Sequence, residues 1–341
     1  MQHGSRPTIS DVARLAGVSR TTVSYVLAGP AERAARISEE TASRVLAAAR
    51  EVGYVPNLSA RSLRTRRTNR VLFLGNRLTS LYSQAMAQSI EQALARHGLT
   101  LGIQVGSTTE HIERAIAMLA QHQADGLIVE TTDIHLPELR AAAAAGHAIV
   151  AIGPMSREPH LDVMASDFAP AVREAMAHLV DRRYRHVVLL HSTTTWEDDY
   201  RIRVAHQHLR ELGISETDIT LLHCPHDRLA AHDCSLGFLP DTPKPVAIYA
   251  GSDVSAIGVL WACIRLGVSV PAEAGIVGHG NTPEIGITVP AITSLGPVAS
   301  DFTRAAELMV SRLRTPSLPG RHVVEPYQLT VRGSSQPTPA P

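Results

Sequence analysis

Residues Thr8–Gly29 read TISDVARLAGVSRTTVSYVLAG, two short apolar-patterned segments on either side of Gly17-Val18-Ser19. Thr8 and Asp11 have the spacing of a capping box, in which the acid three residues on reaches back to the cap. At 100° per residue, Ile9, Val12, Ala13, Leu15 and Ala16 are expected on one face, with Ser10 and Arg14 on the other. Gly17 then ends the helix, because glycine enters the left-handed region at little cost. Ser19 caps the next helix. There Val23, Val26 and Leu27 point inward, and Arg20, Thr21, Ser24 and Tyr25 take the opposite arc. Two helices joined by a tight glycine turn form a helix-turn-helix, whose second helix reads the major groove of DNA. An arginine bonds bidentately to guanine, while threonine and tyrosine reach base edges or a thymine methyl. No acid stands on that outward face to repel phosphate.

Charge distribution agrees. Residues 1–70 hold twelve arginines and no lysine against five acids, in a chain whose net charge is zero. A basic head on an acidic body points to a polyanion partner for the head alone. A third helix follows, capped by Ser38, with Glu39 and Glu40 at its positive end and Val45, Leu46 and Ala49 inward; Gly53 closes it. The next stretch, YVPNLSARSLRTRRTNRV, is crowded with arginine. Asn57 can cap a short helix from Leu58 to Arg64; composition alone favours a flexible basic linker.

The remaining 270 or so residues alternate strand-like and helix-like segments: RVLFLG, DGLIVE, HAIVAIG, HVVLLH and AGIVGHG are each followed or preceded by a helical pattern. Such alternation implies parallel sheet covered by helices on both faces. The length exceeds one doubly wound unit, so two lobes are expected. No run of 18 apolar residues suggests a membrane span, and the N-terminus has no apolar signal-peptide stretch. Three cysteines without framework spacing fit a reducing, cytoplasmic setting.

With TISDVARLAGVSRTTVSYVL, ISEETASRVLAAAREVGYVPN, ARSL, ADGLIV, AIYAGSDVSAIGVLWACIRLGVSVP, AGIVGHGNTPEIGITVPAITSL and LTVRGS in place, the chain resembles the lactose/galactose repressor family of bacterial transcription regulators. The resemblance covers nearly the whole chain. It implies a helix-turn-helix domain over 1–55, a hinge over 56–70 and a periplasmic-binding-protein-like body over 71–333. The first lobe would take about 71–168 and 296–318, the second about 169–295 and 319–333, leaving a Pro-rich, disordered tail at 334–341. That tail has no apolar heptads to join dimers through a coiled coil. The resemblance places Arg20, Thr21 and Tyr25 at base-reading positions and Thr8, Ser19, Thr22 and Ser24 at phosphate contacts. Asn57, Ala60 and Leu63 match a hinge helix that enters the minor groove, the leucine wedging between central base steps. Ala28 departs from the family's usual asparagine. Double-stranded operator DNA, a second copy of the chain and a small polar effector such as a sugar are the implied partners, with no cofactor and no enzymatic activity.

Ligands of open α/β sheets sit beyond the carboxyl ends of strands. This places Asn76–Tyr82, Gly153–Met155, His191–Trp196, Ser252–Asp253 and His279–Thr282 near an inter-lobe cleft. Arg203 matches the family's effector-gripping arginine, with His206 where glycine is usual. Trp196 either stacks on a ligand ring or packs in the lobe. Asp253 either contacts ligand or caps the helix after Ser252. In Gly278–Thr282, sugar-binding members carry an aspartate pair after an aromatic residue, where this chain has His279, then Gly280 and Asn281. With an arginine and no neighbouring acid, an anionic or amide-bearing ligand becomes as plausible as a sugar. Cys224, His226, His232 and Cys234 fall within eleven residues but match no structural zinc spacing. No Walker loop, nucleophile elbow or zincin motif occurs. A transport-type solute-binding protein shares the body, but would carry a signal peptide and no helix-turn-helix.

Overall fold

The structure, a computed structural model, describes residues 7–28, 37–55, 67–76, 81–131, 135–153, 155–193, 195–298 and 302–336. It divides into two compact units, Met1–Thr68 and Asn69–Pro341. Asn57, Ala60 and Leu63 lie outside the described residues.

The first unit holds three helices, α1 (Ile9–Ala16), α2 (Arg20–Ala28) and α3 (Glu39–Glu51). Thr8 donates its backbone amide and its hydroxyl to Asp11 Oδ2, at 2.9 and 2.8 Å. Gly17 closes α1 at φ 64°. The Thr22 amide donates to Ser19 Oγ at 3.0 Å, and that of Thr41 to Ser38 Oγ at 3.3 Å. Val12, Ala13, Ala16, Val23, Val26, Ala42, Val45, Ala48 and Ala49 form the core. Leu15, expected inward, is 46% exposed. It sits about 110° from the centre of the Val12–Ala13–Ala16 arc, beyond the reach of a three-helix core built largely of alanine and valine.

Among the described residues the second unit contains eleven strands and eight further α-helices. In chain order they are β1 (Arg70–Gly75), α4 (Leu81–Ala95), β2 (Thr100–Val105), α5 (Thr109–Ala120), β3 (Gly126–Glu130), α6 (Leu136–Ala144), β4 (Ala148–Gly153) and β5 (Asp162–Asp167). Then follow α7 (Ala169–Asp181), β6 (His186–His191), α8 (Tyr200–Glu211), β7 (Ile219–His223), α9 (Arg228–Phe238), β8 (Val246–Tyr249), α10 (Asp253–Leu266), β9 (Ala274–His279), β10 (Thr293–Pro297), α11 (Thr303–Arg314) and β11 (His322–Thr330). The strand order is β2-β1-β3-β4-β5-β11-β10-β9-β8-β6-β7.

Alternate strand residues face opposite ways, as a sheet covered on both sides requires. Val71, Phe73, Ile128 and Val150 pack under α4 and α11, whereas Leu72, Leu74, Leu127 and Ile149 pack under α5 and α6. In the second lobe Val187, Leu189 and Tyr249 face α7 and α8, and Val188, Leu190 and Ile248 face α9 and α10.

Strand β11 belongs to both lobes. Residues 322–326 pair in parallel with β5, and residues 327–330 pair antiparallel with β10. The second lobe therefore takes up this strand at Tyr327, later than the boundary at 319 expected from the resemblance. The tail also starts later than expected. Ser334 and Ser335 are fully buried; Ser334 Oγ accepts from the Thr293 amide at 2.8 Å and donates to the Ile276 carbonyl at 2.6 Å.

Two buried acids fasten the strand ends, in opposite electrostatic settings. Asp162 is fully buried at the start of β5 and meets two guanidinium groups. Arg312 Nη2 lies 2.8 Å from Oδ1 and Arg321 Nη2 2.8 Å from Oδ2, each arginine making a second bond through Nε. Burial works against the charge, but these bonds outweigh it and hold the carboxyl below its usual range. Asp253 has no such ionic bond. It accepts from Ser294 Oγ at 2.6 Å and from the Thr282 amide at 2.7 Å, and burial pushes its pKa up to about 6.

Asp162→Ala would strand two guanidinium groups inside the first lobe and is expected to cost about 3–5 kcal/mol, read by urea unfolding; a loss under 1 kcal/mol would contradict this hub role. For Asp253 the fold favours the protonated form, so its stabilising contribution is full below about pH 4 and lost as pH rises through about 6. Relative to Asp253→Asn, wild type is therefore expected to lose about 3 kcal/mol over that interval. A difference between the two proteins that stays flat with pH would disprove the assignment.

Candidate functional site

The outward face of α2 starts with Arg20 and Thr21, both exposed, and its first turn contains no acid. Ser24 and Tyr25 are half-buried on the flank. Ser19 and Thr22 share a hydroxyl hydrogen bond of 2.9 Å while Ser19 caps the helix, so both sit at the positive end of α2 with Thr8 in the same role on α1. On the other side, Arg44 Nε donates to the Ala16 carbonyl at 3.0 Å, satisfying the end of α1 and fixing α3 against it. The helix-turn-helix is therefore held from its inner side, and the base-reading candidates carry none of its core.

At the junction of the lobes the strand ends bring together Tyr249, His279 and Tyr327, with Phe168 before α7 and Arg201 in the first turn of α8. Arg201 forms a two-pronged pair with Asp199, Nε to Oδ1 at 3.0 Å and Nη2 to Oδ2 at 2.9 Å, and its Nη1 donates to the Gly251 carbonyl at 2.9 Å. Burial opposes the Arg201 charge, yet Asp199 more than compensates and raises its pKa. Gly251 is in the left-handed region at φ 65°, and a Cβ there would stand 2.8 Å from the Leu190 carbonyl, so only glycine presents its carbonyl this way.

His279 Nδ1 and Tyr249 Oη are 2.8 Å apart. Burial, then the nearby Arg201 charge, hold the imidazole well below its usual pKa, so it is neutral at physiological pH. The Phe168 ring stands edge-on to His279 at 5.4 Å, and the Tyr327 ring lies 5.6 Å from His279. Tyr82, from α4 in the first lobe, joins Tyr327 through their hydroxyls at 2.7 Å. Burial and the facing Tyr327 push the Tyr82 phenol well up, so both rings stay protonated.

The structure thus brings Tyr82 and His279 together through Tyr327. It does not bring Arg203 to them. Arg203 is exposed, its guanidinium carbon 5.4 Å from the centre of the Tyr200 ring. The arginine that enters is Arg201, two residues earlier, because α8 starts at Tyr200 and its first turn points that position toward Gly251. The absence of a neighbouring acid, expected for Arg203, does not hold for Arg201. Trp196 packs on His206, ring centres 4.8 Å apart, and against the core beneath α7 and α8. Ser252 caps α10 by accepting from the Ser255 amide at 3.1 Å, leaving Asp253 to brace Thr282 and Ser294 rather than to cap. Asn281, at φ 51°, accepts from Arg332 Nη2 at 2.6 Å. His232 pairs with Asp233 at 2.8 Å, and among the described residues no group of three or more histidines, cysteines or acids is placed to hold a metal. Phe168, Asp199, Arg201, Tyr249 and Tyr327 were not singled out as ligand contacts from sequence. Tyr249 alone carried a local signal, at the end of the strand pattern AIYAG.

Residues 8–57 match the family model for bacterial regulatory proteins of the lacI family, and residues 176–335 match that for a periplasmic binding protein-like domain. The HTH-type transcriptional repressor PurR of Edwardsiella ictaluri is 26% identical over 298 residues, 84% of each chain. The HTH-type transcriptional regulator PtxS of Pseudomonas putida is 28% identical over 337 residues, 97% of each chain. A crystal structure of the lac repressor dimer bound to operator and the anti-inducer ONPF shares the fold, with a TM-score of 0.79 at 21% identity over 97% of this chain and 99% of that one. The acid-free outward helix and the doubly wound two-lobed body thus meet in a single assignment: the chain belongs to the lacI family of bacterial regulatory proteins and is a DNA-binding transcriptional regulator.

Proposed function

We propose that this regulator is a cytoplasmic repressor that binds a pseudo-palindromic operator as a homodimer and responds to a small polar metabolite held between its lobes. The observation that carries the reading is the exposed, acid-free face of α2 with Arg20 and Thr21 at its start. Arg20, Thr21 and Tyr25 supply base choice, and Thr8, Ser19, Thr22 and Ser24 supply phosphate contacts. Residues 56–70 form the hinge, with Asn57, Ala60 and Leu63 in the minor groove at the operator's centre. One short recognition helix covers few base pairs, which favours two copies on half-sites one helical turn apart. Both the repressor name of the PurR relative and the operator-bound lac repressor dimer support this reading.

The pairing of Arg201 with Asp199 changes the chemistry expected of the metabolite. A guanidinium already matched by a carboxylate offers an anion little net charge, whereas the pair together presents donors and acceptors to hydroxyls. Phe168 and Tyr327 add ring faces. A neutral, hydroxyl-rich molecule such as a sugar fits these groups better than the anionic ligand suggested by an unpaired arginine. Its occupancy would favour one closure of the lobes over another, and so change how the DNA heads are spaced.

Arg20→Ala is expected to cost about 1–3 kcal/mol on duplexes selected from random DNA and to relax choice at one base position. Fluorescence anisotropy reads both effects; equal binding of every selected duplex by variant and wild type would exclude the assignment. In a thermal-shift screen of neutral polyols and sugars, a ligand at a hundred times its Kd stabilises by about 2.7 kcal/mol. That shift is expected to persist in Arg203→Ala and to vanish in Arg201→Lys, which keeps a cation beside Asp199 but loses the two-pronged bond. The reverse pattern would return the role to Arg203.

A further inference from the structure

The loop that follows β9 is held from three sides. His279 ends β9, paired with Leu295 of β10, and the Gly280 amide still donates to the Leu295 carbonyl at 2.6 Å. The chain then leaves the sheet through two successive positive angles, φ 130° at Gly280 and φ 51° at Asn281. Asparagine tolerates the left-handed region better than most residues, yet its neighbours must still hold it there. The Asn281 amide donates to Ser294 Oγ at 3.2 Å, and the Thr282 amide to Asp253 Oδ2 at 2.7 Å. The Asn281 side chain lies so close on β10 that a Cβ on Gly296 would run into its own Cβ. Its Oδ1 accepts from Arg332 Nη2 at 2.6 Å, while Arg332 Nη1 donates to the Ile292 carbonyl at 2.8 Å.

Arg332 follows β11 and is itself fixed. Its amide donates to Thr293 Oγ1 at 2.8 Å, and its carbonyl accepts from the same hydroxyl at 3.1 Å. Ser334 and Ser335 grip Thr293 again, through its amide at 2.8 Å and its hydroxyl at 2.7 Å. His178 of α7 meets Ser335 in turn, Nε2 to Oγ at 2.9 Å.

We propose that Arg332 is the positioning residue of the effector loop: by clamping Asn281 to the start of β10, it sets where His279 presents its imidazole to the inter-lobe rings. The chain of β11 thereby serves the site twice. It carries Tyr327 to within 5.6 Å of His279, and it runs on to Arg332, which holds the loop behind His279. The guanidinium also answers a charge. Burial pushes Asp253 up to about 6, against the bonds from Ser294 and Thr282 and the Arg332 cation. On the β8 side, Asp253 faces the Tyr249 phenol, which stays protonated. The functional meaning of the clamp rests on the inter-lobe cluster being the effector site, so its tests are run without ligand. A failed Arg201→Lys screen counts against the effector reading, and a failed loop measurement against the clamp alone.

His279 is the one histidine between Arg265 and Arg304, so a single tryptic peptide reports on it alone. The full chain is incubated in deuterium oxide, and exchange of the His279 C2 proton is read by mass spectrometry. Arg332→Gln, which loses the charge and one prong, is expected to exchange about tenfold faster as the loop opens. Asn281→Gly accepts φ 51° without strain but offers Arg332 no acceptor, and is expected to speed exchange in the same way. The second reading is the pH dependence of stability that Asp253→Asn removes. Loss of the neighbouring cation raises the folded-state pKa of Asp253 further, so in Arg332→Gln this fall in stability is expected to continue about one pH unit higher than in wild type. Arg332→Lys, which keeps the charge, is expected to restore the wild-type interval. Circular dichroism checks that each variant is folded. Unchanged His279 exchange in both Arg332→Gln and Asn281→Gly, or an Asp253 titration that Arg332→Gln leaves in place, would overturn the proposal.

Discussion

Strand β11 is the constraint on which the body depends, because it is hydrogen-bonded into two sheets at once. Through Pro326 it runs parallel to β5, and from Tyr327 it runs antiparallel to β10. Proline at the change-over has no amide to give to either ladder, which makes this the natural place for the backbone to turn from one sheet to the other. Any rotation of one lobe against the other must pass through this point. The next residue, Tyr327, contacts the inter-lobe rings and holds Tyr82 of the first lobe by its hydroxyl. Hinge and site thus coincide in adjacent residues. A molecule that displaced the Tyr82–Tyr327 bond, or bridged it, would act directly on the strand that the two lobes share.

The electrostatics of that site are closed rather than open. Arg201 has its carboxylate, His279 is neutral and bonded to Tyr249, and the tyrosines are protonated. Burial disfavours an uncompensated charge, and the largely buried Arg201 cation arrives with a counterion two residues away. Asp199 does two jobs at once, since it also caps α8 by accepting from the Arg201 amide at 3.2 Å. The cap fixes the first turn, and the first turn fixes where the guanidinium goes. This is why Arg201 enters the site while Arg203, two positions on and about 200° further round the helix, does not.

That two-residue difference marks the limit of what was legible in the chain. Features set by near neighbours were readable: the Thr8–Asp11 box, the turn at Gly17, the caps at Ser19 and Ser38, and the alternation of strand and helix that implied a doubly wound body. Features set by distant partners were not. The pattern of residues 322–330 could not announce that the strand serves two sheets, because its partners lie thirty or more residues away on one side and about 160 on the other. Asp253 reads as a cap or a ligand contact because its real partners, Thr282 and Ser294, come from β9–β10.

The DNA-reading unit follows a different economy from the body. Among the described residues its buried core is nine side chains, five alanine and four valine, rimmed by larger half-buried ones such as Ile9, Leu27 and Leu46; small side chains allow close helix approach while removing little apolar surface from water. Hydrophobic burial alone leaves such a domain marginal. Polar groups at the helix ends make up the difference: each N-cap contributes about 1 kcal/mol, and the Arg44 bond to the Ala16 carbonyl closes the one helix end that faces α3. All of these devices lie at helix termini or on inner faces. The outer face of α2 contributes to none of them, so the fold makes no demand on the exposed Arg20 and Thr21.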